Sequence, residues 1–181
     1  MDKKLNYSLK NSRSIFNYTI TDQNIKNYIY SWLKYLDLEK GFSEKTISSY
    51  EIDFRKFLNF LCWYKKNKYI DLSSLSKDNL IKIINSDFNF EKIDLSSSSL
   101  FELKYNEIRP YLFFITFLNY KKTTRRRIVA AIKSFYKYLY KNNKKIDPSI
   151  LNELKGPKID QALPRPISVH EIKEIINEIK N

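Results

Sequence analysis

Glycine occurs only twice in this 181-residue chain, at Gly41 and Gly156. Tight turns and phosphate-binding loops depend on glycine, because it adopts left-handed backbone conformations at little cost. The sequence therefore argues against a glycine-rich nucleotide loop and against a β fold with many turns. We predict an all-α fold: a helical bundle of four to five helices, followed by a linker and one further helix.

Basic residues outnumber acidic ones, with 33 Lys and Arg against 20 Asp and Glu and a formal net charge of +13. Such a surface attracts polyanions, so nucleic acid is the first candidate partner. The longest apolar run, within residues 111–118, is too short to span a bilayer, and the sequence has no secretory leader pattern. We therefore expect a cytoplasmic protein without a membrane partner.

Helix signals divide the chain into four parts. Residues 1–21 have no apolar period and are predicted to be a flexible lead-in. Residues 22–156 are predicted to form the helical domain, and the proline-containing residues 157–167 a linker. Residues 168–181 carry a new apolar stripe and are predicted to form a helix that begins another domain.

Two helices with clear start signals open the helical domain. Asp22 is the predicted cap of the first helix, which Gly41 ends, and Ser43 is the predicted cap of the second. The far face of the second helix, which includes Asn59, is polar and is predicted to be free for a partner. The apolar stripes that should form the core are Ile25, Tyr28, Ile29, Trp32, Leu33 and Leu36 in the first helix and Ile47, Tyr50, Phe54, Phe57, Leu58 and Leu61 in the second.

The rest of the domain has weaker signals. A short helix is predicted after Ser76, and the serine run at residues 96–99 is interpreted as a loop. Residues 111–118 are apolar on all sides and are predicted to lie in the central helix of the bundle. Asp147, followed by proline, is predicted to cap a short helix that ends at Gly156.

Three consecutive arginines, Arg125, Arg126 and Arg127, lie at the start of a helix predicted from about Thr124 to Tyr140. A helix N-terminus favours anions, and guanidinium groups bind phosphate or a guanine edge through paired hydrogen bonds. Neighbouring helical residues point about 100° apart, so we expect one or two of these arginines either to extend along the surface into solvent or to pair with acids. Asp53 is expected to orient such a basic neighbour.

Signals for catalysis are weak in this sequence. His170 is the only histidine and Cys62 the only cysteine, so neither a histidine pair for a metal nor a Cys/His pair is available. The aromatic neighbours of Cys62 suggest a buried, unreactive thiol. We predict no catalytic residue, no metal site, no cofactor and no small-molecule substrate.

Three segments in order resemble the tyrosine recombinases and integrases of the Xer type: EKGFSEKTISSYEIDFRKFLNFL, RRRIVAAIKSFYKYLYKNN and DPSILNELKGPKIDQALPRPISVHEI. The resemblance implies a SAM-like core-binding domain that closes around duplex DNA together with a catalytic domain. It implies sequence-directed binding to double-stranded DNA, with the chain itself or a sister recombinase on adjacent half-sites. The DNA contacts carried over are Lys45, Thr46, Ser49 and Arg55 on the second helix and Thr123, Thr124, Arg125, Arg126, Lys133, Ser134 and Lys137 on the arginine-led helix.

The sequence also departs from this family. It stops in the region that resembles the first helix of the catalytic domain, before the family's catalytic arginines, lysine, histidines and tyrosine. No strand cleavage is therefore expected from this chain alone. Two other functions stay open from the residues: a stand-alone helical DNA-binding regulator, and a protein-interaction module whose basic charge is incidental.

Overall fold

Seven helices contain most of the described residues of this computed structural model, which describes residues 19–68, 70–76, 78–79, 92–142, 144–158 and 169–179. The helices are α1 (Gln23–Leu38), α2 (Glu44–Lys66), α3 (Ser97–Phe101), α4 (Tyr105–Phe117), α5 (Lys122–Lys141), α6 (Pro148–Glu153) and α7 (Val169–Ile179). A single 3-10 turn is described at Leu72–Ser74. The all-α prediction is confirmed; of the two short helices, α6 is predicted from the sequence and α3 is not.

A pair of two-residue strands joins distant parts of the chain. β1 (Thr19–Ile20) pairs in parallel with β2 (Lys92–Ile93). Ile20 is buried, and the hydroxyl of Thr21 donates to the Asp94 carboxylate over 2.9 Å. Thus the last residues of the predicted flexible lead-in belong to the folded domain.

The first two helices begin and end as their sequence signals predict. Asp22 accepts hydrogen bonds from the backbone N–H groups of Asn24 and Ile25, and Ser43 accepts one from Thr46. Gly41 has a φ of +62°, the left-handed conformation that glycine tolerates. Its N–H donates to the carbonyl of Asp37 over 3.2 Å, which satisfies a group that the end of the helix would otherwise leave open.

Helices α1, α2 and α5 meet at an aromatic cluster of Trp32, Phe54 and Phe135, all fully buried. The Phe54 ring lies 5.3 Å from the Trp32 ring and 4.3 Å from the Phe135 ring, measured between centroids. The predicted apolar stripes are confirmed as core, except that Tyr28 and Tyr50 are only half-buried. This packing holds the first turns of α2 and α5 beside each other, and that arrangement forms the groove described below.

The serine run is helical, and its interpretation as a loop is wrong. The Ser96 side chain accepts from the N–H of Ser99 over 3.2 Å and caps α3. Leu100 of α3 is buried, and its carbonyl accepts a hydrogen bond from the hydroxyl of Tyr136 over 3.0 Å. Serines occur both in loops and at helix caps. The contacts of Leu100 with α5 therefore determine that this segment is helical.

The apolar segment at 111–118 is helical, as predicted, but α4 is not the central helix. Phe113 is 45% exposed and Thr116 is also exposed, so one face of α4 points outward. By contrast, Asn59 is buried, although the sequence predicts it on the free polar face of α2.

Most of the helix predicted after Ser76 lies outside the described residues. No helix within the ranges given above could cross a membrane.

The short helix α6 has the predicted cap but a different end. Asp147 accepts from the N–H of Ser149 over 2.8 Å. The helix ends at Glu153 with Leu154 as its cap residue, so Gly156 lies beyond the helix and does not stop it.

The apolar side chains of α7 that the structure describes are exposed: Ile172, Ile176 and Ile179. The division into a lead-in, a domain, a linker and the start of a second domain stays a prediction.

Asp22 caps two helices, and its removal should therefore be costly. One carboxylate oxygen caps α1, while the other accepts from the N–H of Ser97 at the start of α3 over 2.6 Å. We expect Asp22→Ala to lower the free energy of unfolding by about 1–2 kcal/mol, measured by urea denaturation. Asp147→Ala, which removes the cap of α6 alone, is the control and should cost less. Equal losses would contradict the double cap.

The contribution of Asp22 should also depend on pH. Burial raises the pKa of Asp22, but hydrogen bonds from Ser97 and from the first turn of α1 outweigh burial and hold the pKa below its ordinary value. A lowered carboxyl pKa stabilises the folded state above the unfolded pKa, and this stabilisation is lost as the pH falls through the folded pKa. The difference in the free energy of unfolding between wild type and Asp22→Ala should therefore reach its full value at neutral pH and decrease below about pH 4.

Candidate nucleic-acid interface

An open groove of about 460 Å³ lies between the first turns of α2 and α5. Five of the predicted DNA contacts line it together: Lys45, Thr46, Ser49, Thr123 and Arg126. The structure thus brings side chains from two separate sequence segments to one surface. The remaining lining residues are Ser43, Tyr50, Arg127 and Ala130.

The groove combines exposed cations with hydroxyl groups. Lys45 and Arg126 are both exposed. The hydroxyls of Ser43 and Thr46 lie 2.9 Å apart, beside the capped start of α2. The N-terminal turns of both helices add the positive ends of their dipoles to the same region. This arrangement favours an anion that accepts several hydrogen bonds, which is the chemistry of a phosphate group.

Arg127 forms one wall of the groove and is paired with a buried acid. Its Nε donates to one oxygen of Asp53 over 2.8 Å, and its Nη2 donates to the other over 3.2 Å. Asp53 is 2% exposed and Arg127 is 46% exposed. The expectation that Asp53 orients a basic neighbour is confirmed. Asp53 thus balances the charge of Arg127 in the wall, whereas Lys45 and Arg126 beside it have no ion-pair partner among the residues that the structure describes.

The pair shifts the ionisation of its members. Burial raises the pKa of Asp53 above its ordinary value, and the hydrogen bond and charge of Arg127 act in the opposite direction. The hydrogen bond that Arg127 donates to Asp53 raises the pKa of Arg127. Tyr50, the half-buried tyrosine in the groove wall, has a raised pKa because of burial and the nearby Asp53 charge. The raised pKa values of Arg127 and Tyr50 keep the guanidinium charged and the phenolic hydroxyl protonated at neutral pH.

Three other predicted DNA contacts form hydrogen bonds within the protein. Arg125 donates to the hydroxyl of Thr116 on α4 over 2.9 Å. Lys133 donates to the carbonyl of Leu154 over 3.3 Å. The Ser134 hydroxyl accepts from the Trp32 indole over 3.2 Å.

None of these three lines the groove, and neither do the half-buried Arg55 and Thr124 or the exposed Lys137. Sequence reasoning missed Ala130 and the position of Tyr50. Ala130 lies four residues after Arg126, on the same helical face. The sequence signal that could have identified Ala130 is a small residue between basic positions, because such a residue leaves room for a ligand to approach the helix.

The described residues offer no obvious metal chemistry near this groove. Within the ranges that the structure describes, no three His, Cys, Asp or Glu residues cluster in a way that could hold a metal ion. The half-buried thiol of Cys62 has its pKa raised to about 11 by burial, and it is therefore protonated at neutral pH. The groove presents cationic and hydroxyl-bearing side chains, which suit an anion.

Comparisons with known proteins relate one segment of this chain to a phage integrase domain and most of the chain to tyrosine recombinases. Residues 29–86, which include all of α2, match the phage integrase N-terminal SAM-like domain. The chain is 30% identical over 154 residues to tyrosine recombinase XerC of Caldanaerobacter subterraneus, covering 82% of this chain and 38% of that protein. It is 27% identical over 159 residues to XerC of Rickettsia bellii, covering 88% of this chain and 43% of that protein.

A similar match is found with tyrosine recombinase XerD of Vibrio vulnificus, 26% identical over 152 residues, with 83% of this chain and 38% of that protein covered. The chain therefore spans roughly two fifths of the length of these curated relatives. No solved structure matches it.

Proposed function

Because this chain carries the N-terminal SAM-like domain of the Xer-type tyrosine recombinases, we propose that it binds duplex DNA through the groove between α2 and α5. The observation that carries the proposal is the convergence of Lys45 and Arg126 with the hydroxyl-bearing first turns of two helices. We propose no strand cleavage by this chain alone. The second copy needed for exchange would be the same chain or a sister recombinase on an adjacent half-site.

The side chains of the groove divide the work of DNA binding. Lys45 is a point charge suited to phosphate, whereas the planar fork of Arg126 suits either two phosphate oxygens or the O6 and N7 atoms of guanine. The hydroxyls of Thr46, Ser49 and Thr123 add short-range hydrogen bonds that fix the register along the backbone. Arg126 is therefore our candidate for sequence-directed contact, and Lys45 is our candidate for affinity.

The main test compares two variants that lose the same charge. Lys45→Ala/Arg126→Ala removes both exposed cations of the groove. Lys66→Ala/Arg109→Ala removes one lysine and one arginine that are also exposed, and Lys66 lies about 30 Å from Lys45 along α2 at a rise of about 1.5 Å per residue. Binding to a labelled duplex is measured by fluorescence anisotropy across a range of salt concentrations.

We expect the groove variant to bind roughly 10- to 100-fold more weakly and to show a shallower salt dependence, because each lost phosphate contact removes about 0.9 from the log–log slope. The control variant should lose much less. Equal losses would assign binding to overall charge, and no binding by wild type at low salt would overturn the proposal in favour of a protein-interaction module. Selection from a random duplex pool tests sequence direction, which fails if no motif is enriched.

Adjacent arginines should differ in their importance. Arg126 is exposed in the groove, whereas Arg125 is held by Thr116 on α4. Arg126→Ala should therefore weaken duplex binding by roughly tenfold, and Arg125→Ala should change it by less than about twofold. The two variants have identical composition and charge, so each controls for the other in the same anisotropy experiment. A larger loss from Arg125→Ala would reverse the assignment.

A further inference from the structure

The segment that leaves α6 passes directly against the base of Arg126. A Cβ atom added at Gly156 would lie 3.2 Å from Cγ of Arg126 and 3.3 Å from its Cα. These distances are shorter than ordinary contacts between carbon atoms. A side chain at position 156 would therefore make Arg126 or its surroundings shift by a few tenths of an ångström. The sequence predicts that Gly156 ends α6, whereas in the structure it lies after the helix and against Arg126.

Two neighbouring contacts hold the segment in that position. Leu154 is buried in the core. Its carbonyl accepts the hydrogen bond from Lys133, which lies about two helical turns beyond Arg126 on α5. Since Ile128 and Ile132 anchor the inner face of α5 in the core, the helix backbone cannot retreat from a bulkier residue at position 156. Any added atom must displace either the segment or the Arg126 side chain.

We infer that Gly156 is a positioning residue for Arg126, with Lys133 holding the segment from Leu154 to Lys158 in place. The backbone at Gly156 restricts the first torsions of the Arg126 side chain and so aims its guanidinium at the groove. An arginine that is ordered before binding loses less conformational freedom when it contacts DNA. The inference rests on the proposed function, because it assigns Gly156 a role in that same DNA contact.

The test is a double-mutant cycle on duplex binding with Gly156→Ala, Arg126→Ala and the combined variant. Gly156→Ala should weaken binding by about three- to tenfold when Arg126 is present. The same substitution should have almost no effect in the Arg126→Ala background, because the side chain it positions is gone. Asn152→Ala, an exposed and uncharged change on α6, is the control and should leave binding unchanged.

A second measurement observes the side chain without DNA. The Nε–Hε correlation of Arg126 in NMR spectra should shift in Gly156→Ala and stay in place in Asn152→Ala. An unshifted correlation, or equal losses from Gly156→Ala in both backgrounds, would overturn the positioning role. If Arg126→Ala itself binds DNA as wild type does, the proposed function fails instead, so the two failures are distinguishable.

A second route applies if Gly156→Ala does not fold. Lys133→Met removes the hydrogen bond to Leu154 while keeping the aliphatic chain. Its effect on binding should be smaller in the Arg126→Ala background than in wild type. Additive losses would mean that Lys133 contacts DNA independently, and the positioning role would then be rejected.

Discussion

Phe54→Ala should lower the free energy of unfolding by about 3–5 kcal/mol, the usual cost of truncating a buried aromatic residue. Phe54 is fully buried and its ring contacts Trp32 of α1, Phe57 of its own helix and Phe135 of α5. Truncation leaves a cavity where three helices meet, and the surrounding aromatic rings are too rigid to fill it. Urea denaturation followed by tryptophan fluorescence measures the loss.

Phe113→Ala is the matched control, because the same atoms are removed from a ring that is 45% exposed on α4. It should cost less than about 1 kcal/mol, as expected for a surface position. Similar losses in the two variants would contradict the assignment of the core to α1, α2 and α5. They would return α4 to the centre of the bundle.

Arg127→Ala should cost about 3 kcal/mol, at the lower end of what is expected when one partner of a buried ion pair is removed. The pair is asymmetric, because Asp53 is 2% exposed whereas Arg127 is 46% exposed. Without the guanidinium, the Asp53 carboxylate stays buried and uncompensated. Asp53→Ala leaves an arginine that can turn to solvent, and it should cost much less.

The pH dependence of the Arg127→Ala defect provides a second check. In this variant burial acts on Asp53 without the opposing charge, so the folded-state pKa of Asp53 rises further above the unfolded value. A raised carboxyl pKa destabilises the folded state at pH values above it, and protonation relieves the cost. The defect should therefore be larger at pH 7 than at pH 4.5. A defect independent of pH would mean that lost packing, and not the unpaired carboxylate, is its cause.

Local signals were sufficient to predict α1, α2 and α5. Asp22 and Ser43 are caps that the adjacent backbone can use immediately, and apolar stripes such as that of α2 require only helical periodicity. The same signals failed for the serine run, since Ser96 caps a helix only because Leu100 is held in the core. They also misplaced α4, because hydrophobicity does not say which face of a helix has neighbours.

The candidate site shows the same division between local and tertiary information. The sequence identified Arg125 and Arg126 as equivalent candidates, and the packing of α5 against α4 separates them by engaging Arg125 with Thr116. The pairing of Asp53 with a basic residue was predictable from type and position, but its partner Arg127 was not. Likewise, Gly156 stood out in a chain with two glycines, yet its contact with Arg126 depends on how α6 folds back.

The double cap at Asp22 has a consequence for the order in which the chain can assemble. Asp22 and Ser97 are separated by 75 residues, and Trp32 and its partner Ser134 by 102. During synthesis at about 5–20 residues per second, α1 is therefore made several seconds before its partners on α3 and α5 exist. In that interval its stripe around Ile29 and Trp32 can be covered only on the side that packs on α2. A ribosome-bound intermediate of this protein should accordingly engage a holding chaperone until residues of α5 emerge and close the bundle.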